Sequence, residues 1–118
     1  MTARRTLRAE RDIEDILSET IRLFGERQFA RYVDLMERAI EAVTREPMTA
    51  SSKARPEIGP GVRSFRLDSV GGTPRPKASH QLFYVALPSE VVILRVLHER
   101  MASRRHVAAV LRSELKQS

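Results

Sequence analysis

The segment 80–101, HQLFYVALPSEVVILRVLHERM, constrains the fold more than any other part of the chain. Two runs rich in β-branched and aromatic residues, 81–87 and 91–97, flank Pro88-Ser89-Glu90, which is the pattern of a β-hairpin. Strict alternation puts Val92, Leu94, Val96 and His98 on one face of the second strand and Val91, Ile93, Arg95 and Leu97 on the other. In the first strand, Leu82, Tyr84 and Ala86 oppose Phe83, Val85 and Leu87. Both faces are apolar, so both must be covered. A chain of 118 residues has little material for two covers, and the hairpin is expected to point outward to a partner.

Ahead of it lie two helical patterns. Thr6 has the side-chain oxygen of an N-cap. Behind it, Ala9, Ile13, Ile16, Leu17, Thr20, Ile21 and Phe24 fall on one stripe. Gly25 ends that helix, because it tolerates the positive φ of a helix stop. A second helix is predicted over 26–45, with Phe29, Val33, Met36, Ile40 and Val43 inward and Tyr32 and Ala39 flanking them. Pro47 stops it at Glu46. So short a joint makes the pair an antiparallel helical hairpin.

The remaining segments are simpler. Residues 2–5 suit a short polar edge strand. Residues 47–61, with three Pro and two Gly, read as a linker loop. A strand over 62–67 follows, and then a long polar loop at 68–79 that carries Gly71-Gly72. Val107, Val110, Leu111 and Leu115 give a short C-terminal helix over 103–118, with Ser103 as its cap. The predicted order is β-α-α-β-β-β plus this helix: one α+β domain over 1–118, with the helical hairpin on a mostly antiparallel sheet. If the first strand runs up, the second is expected to run down, the third up and the fourth down.

Charge narrows the partners. Residues 1–46 hold nine Arg against ten Asp or Glu, whereas 47–118 hold twelve Lys or Arg against five acids. The cationic sheet region suits nucleic acid or an acidic protein. The absence of Cys removes disulfides and thiolate metal sites and fits a reducing cytoplasm. No apolar run reaches the length of a membrane span, and no secretory signal opens the chain. His80 and His106 lack partners at metal-ligand spacing, so no metal and no cofactor is expected.

Several stretches resemble the RelE/ParE toxin superfamily. They are Thr6-x-x-Ala9-Glu10-x-Asp12-Ile13-x-x-Ile16, then Phe24-Gly25-Glu26-x-Gln28 and Arg31-Tyr32. The segment Arg55-Pro56-Glu57-Ile58-x-Pro60-Gly61-Val62-Arg63 is similar to the family's "RPEIRPGLR"-like stretch. Leu82-Phe83-Tyr84 and Ile93-Leu94-Arg95-Val96-Leu97-His98-x-Arg100-Met101 look like the ParE branch in particular. The resemblance implies the toxin of a type II toxin–antitoxin pair, associated with plasmid stabilization. It would be neutralised by a ParD-like antitoxin in a hetero-oligomer and would act on DNA gyrase by binding rather than catalysis. The alternatives are a RelE-like ribosome-dependent mRNA endonuclease and a basic module that keeps the fold without toxicity. The long loop at 68–79 and the extension at 103–118 depart from the family pattern.

An RNA-cleaving member needs an acid–base group and cations for the phosphorane charge. Arg63 and Arg95 would be the cations and His98 the acid–base group. The set is incomplete, since Lys53 lies in the linker and no Tyr follows Tyr84. The simpler role for His98 is a strand-end residue that hydrogen-bonds locally. Arg95, mid-strand among aliphatics, must pair within the fold or meet a partner, and the cationic setting favours the partner. The expected antitoxin or target surface is Arg63, Tyr84, Ile93, Arg95, Leu97, His98, Arg100 and Met101.

Overall fold

The computed structural model describes residues 1–70 and 79–117, with side chains through Glu114. Most of the long polar loop therefore lies outside the described residues, as does the side chain of Leu115. The elements are β1 (Thr2–Arg5), α1 (Leu7–Phe24), α2 (Glu26–Arg45), β2 (Lys53–Ala54), β3 (Arg63–Arg66), a 3-10 turn (Leu67–Ser69), β4 (His80–Ala86), β5 (Glu90–His98) and α3 (Ser103–Gln117). They form an α+β fold in which the sheet order is β1-β5-β4-β3-β2. No helix among the described residues is long and apolar enough to cross a membrane.

The helical hairpin forms as its local chemistry dictates. Thr6 Oγ1 accepts the Ala9 N–H at 3.0 Å. Gly25 takes φ 86° between the helices, a region that costs an L side chain energy. The α2 stripe is rotated slightly from expectation: Leu35, Met36, Ala39, Ile40 and Val43 are buried, while Phe29 and Val33 are only half-buried.

Strand direction differs from the sequence expectation. β1 pairs with β5 in parallel, and the other neighbours are antiparallel. Relative to β1, β3 therefore runs up, β4 down and β5 up. The cause is β2, a two-residue strand inside the predicted linker that makes the downward pass itself. Every later strand is reversed by it.

Both faces of the β4–β5 hairpin are covered by the chain, which corrects the expectation of an outward-facing hairpin. Leu82, Tyr84, Val91, Ile93 and Val96 pack against the helical hairpin in the larger core. Phe83, Val85, Val92, Leu94 and Leu97 form a second core with Val107, Val110 and Leu111 of α3 and with Ile58 and Val62. α3 packs closely here, since a Cβ on Gly59 would lie 2.5 Å from Leu111 Cδ2. The face pattern of β5 also changes halfway along. The register shifts beside Phe83 and Tyr84, whose partners are Arg95 and Ile93. This bulge exchanges the faces after Leu94. Val96 thus joins the hairpin side and Leu97 the α3 side, the reverse of strict alternation.

β1 ends at Arg5, so the outer edge of β5 beyond Ile93 needs other partners. α1 supplies them. Thr6 N–H donates to the Ile93 carbonyl at 3.1 Å, and Thr6 Oγ1 donates to the Leu94 carbonyl at 2.8 Å. The Asp12 carboxylate accepts the Val96 N–H at 3.0 Å. The same carboxylate takes Arg95 Nε at 2.7 Å and Nη2 at 2.9 Å. Arg95 is only 5% exposed, so its internal partner is Asp12, and the expectation that it chiefly serves a second protein is corrected.

Arg95→Met keeps the apolar stem but strands the Asp12 charge, and should destabilise the chain by about 3 kcal/mol. Adding Asp12→Asn should recover part of that loss, with a coupling of at least about 1 kcal/mol in urea unfolding. Two single variants each within about 0.5 kcal/mol of the parent would show the pair to be dispensable.

Candidate functional site: the cleft beside the joint of the helical hairpin

The apolar stripe of α1 runs past the edge of the sheet. Ala9 and Ile13 are buried and Ile16 and Leu17 pack at the margin of the core, but Ile21, Leu23 and Phe24 are exposed by 41%, 53% and 67%. Between this end of the hairpin and the outer ends of β4 and β5 lies a cleft of about 720 Å³. Ile16, Leu23 and Phe24 give it an apolar wall, Asp15 and Glu19 an acidic rim, and Tyr32, His80 and His98 a polar floor.

The floor is ordered by hydrogen bonds. His80 and His98 are cross-strand neighbours, and their rings meet edge to face with centroids 5.3 Å apart. The Tyr32 hydroxyl lies 2.7 Å from His80 Nδ1 and accepts from the Ser79 backbone N–H. His98 Nδ1 accepts the Arg100 N–H at 3.1 Å, the local bond expected of a strand-end histidine. Burial, and then the neighbouring His98, push His80 down to about 4. Burial pushes Tyr32 up to about 12. The site thus presents neutral donors and aromatic rings beside an apolar wall, and among the described residues no group of His, Asp or Glu could hold a metal ion.

The expected surface residues are scattered by the fold. Tyr84 is fully buried in the larger core and donates its hydroxyl proton to the Pro47 carbonyl at 2.6 Å. Ile93 lies in the same core and Leu97 lies under α3. These three are core residues here, not a face offered to a partner. Arg63 is half-buried, with Nε and Nη2 on Ser52 Oγ at 2.9 and 2.7 Å. Only His98, Arg100 and Met101 come together at a surface, where β5 ends. Arg63 pairs with Tyr84 and His98 with His80, so four β4 positions, roughly 13 Å, separate the proposed catalytic cation from the proposed acid–base group.

Sequence reasoning missed His80 and Tyr32 as members of this site. Counting outward from the Pro88-Ser89 turn sets His80 opposite Leu97, and it is the bulge in β5 that moves its partner to His98. No comparable signal brings Tyr32 to them across a gap of 48 residues.

The chain belongs to the ParE toxin family of type II toxin–antitoxin systems (parDE), whose model matches residues 3–103. No curated protein matches it. Among solved structures it is similar to the chromosomal ParDE TA system from P. aeruginosa, with a TM-score of 0.60 and 18% identity. That match covers 83% of this chain and 95% of that one and supports the fold. The α3 helix lies almost wholly beyond the family match.

His80 makes the site sensitive to acid. Its folded-state value lies below the ordinary 6.5, so the unfolded chain binds the proton more tightly. The stability it contributes is complete above about pH 6.5 and is lost as pH falls toward 4. The melting temperature should decline over that window, and His80→Gln should flatten the decline. A parent profile unchanged between pH 6.5 and 4.5 would contradict the buried neutral imidazole.

Proposed function

We propose that this ParE-family toxin is neutralised by a ParD-like antitoxin that lays an amphipathic helix into the hairpin-end cleft, and that the toxin acts by binding DNA gyrase rather than by cutting RNA. The observation that carries the proposal is the uncovered end of the α1 stripe, where Ile21, Leu23 and Phe24 stand exposed within four residues of one another. An exposed apolar patch rimmed by charge is what a protein partner covers. The acidic rim of Asp15 and Glu19 suits a partner helix with Arg or Lys beside its apolar anchors. A binding mode also fits the scattered arginines. Arg95 is engaged by Asp12 and Arg63 by Ser52, so neither stands beside His98 to neutralise a phosphorane.

Two measurements test the proposal. Leu23→Glu, on an exposed position, should leave the melting temperature within a few degrees of the parent but weaken antitoxin binding at least about tenfold, or 1.4 kcal/mol. Unchanged affinity would remove the cleft from the interface. Expression without antitoxin should cause filamentation and DNA-damage signalling while bulk translation continues. Rapid mRNA cleavage at the ribosomal A site would instead favour the nuclease reading through Arg63, Arg95 and His98.

A further inference from the structure

At the opposite, N-terminal end of α1 a second cleft, of about 300 Å³, is lined by Thr6, Leu7 and Arg8 at the start of α1, by Arg95 of β5, and by His106, Ala109, Val110 and Ser113 of α3. Its chemistry is one-sided. Three cationic or cationisable side chains reach it from three elements, and no carboxylate lines it.

Arg95 is the most informative of them. Asp12 occupies Nε and Nη2, while Nη1 has no partner among the described residues. No fully buried side-chain nitrogen or oxygen among them lacks a partner, so Nη1 reaches the open space of the cleft that Arg95 lines. Arg8 and His106 likewise have no side-chain hydrogen bond or ion pair among the described residues. The N–H groups of Leu7 and Arg8, in the first helical turn, add donors that the helix itself cannot satisfy. On α3, Arg105 and Arg112 stand four residues before and three after Ala109 and so share its side of the helix. Both are exposed, extending positive charge beyond the cleft.

Converging donors over a fixed guanidinium are what an oxyanion requires, and the flanking arginines suit an oxyanion that repeats along a chain. We propose that this cleft is a phosphate-binding site that grips the phosphodiester backbone of a nucleic acid. The contact is sequence-independent, since every donor in it is suited to phosphate oxygen and none is placed to read a base. It does not depend on which target the toxin poisons or on where the antitoxin docks.

A short fluorescent DNA duplex titrated with the full chain provides the test, read by anisotropy over a series of salt concentrations. Arg8→Gln and His106→Gln should each weaken binding while leaving the melting temperature unchanged, because neither side chain pairs within the fold. Arg8→Gln should also lower the log–log salt slope by about 0.9, the release of one phosphate contact. Arg27→Gln, at the hairpin joint, should change neither. Failure of the duplex to bind would overturn the proposal. So would equal weakening by Arg27→Gln, which would mean bulk charge alone. Binding of a poly-glutamate octapeptide that needs Arg8 and His106 while the duplex does not bind would overturn it in favour of a protein carboxylate.

Discussion

The fold turns on how one carboxylate finishes an edge that no strand completes. β5 is the longest strand, and β1 covers its outer edge only as far as Ile93. Beyond that point, Thr6 and Asp12 of α1 hydrogen-bond the Leu94 carbonyl and the Val96 N–H, so a helix stands in for the missing strand. A carboxylate so deep in the structure, 13% exposed at its side chain, needs a counter-charge, and Arg95 is positioned to give it. The bulge in β5 is part of the same device. It shifts the faces after Leu94, bringing Leu97 under α3 and Val96 under the hairpin.

From that junction the two cores follow. With α1 fixed to the edge of β5, the helical hairpin lies across one face of the sheet and α3 across the other. Arg4 adds an exposed link, reaching Glu90 of β5 at 3.2 Å and Glu114 of α3 at 3.1 Å. Exposed pairs of this kind contribute little individually, so the apolar contacts of Val107, Val110 and Leu111 hold α3. α1 runs on toward the ends of β4 and β5 marked by His80 and His98, and its last turn leaves Ile21, Leu23 and Phe24 outside the core.

Much of this was legible in the sequence where a residue acts on its own neighbours. Thr6 as a cap, Gly25 as the joint, Pro47 as the stop and the hairpin around Pro88-Ser89 are local events, and they occur as expected. What was not legible depends on residues far apart in the chain. Lys53–Ala54 has no strand pattern in two residues, yet pairing with Ser64 and Arg63 makes it a strand and reverses every later direction. Asp12 and Arg95, 83 residues apart, carry no mutual signal, so Arg95 looked like a residue awaiting a partner. Periodicity showed which side of α1 is apolar but not where the core stops. The interaction surface was therefore expected on the sheet, and the uncovered apolar residues lie at the end of the hairpin.

Amide hydrogen exchange of the toxin, alone and in complex with its antitoxin, measures most directly where the partner sits. Protection should rise over the second half of α1 and the first half of α2, from Ile16 to Tyr32, with little change in β5, whose N–H groups are already engaged. New protection confined to β3, β4, β5 and α3, with the end of the helical hairpin exchanging as in the free toxin, would contradict the placement of the interface at the cleft.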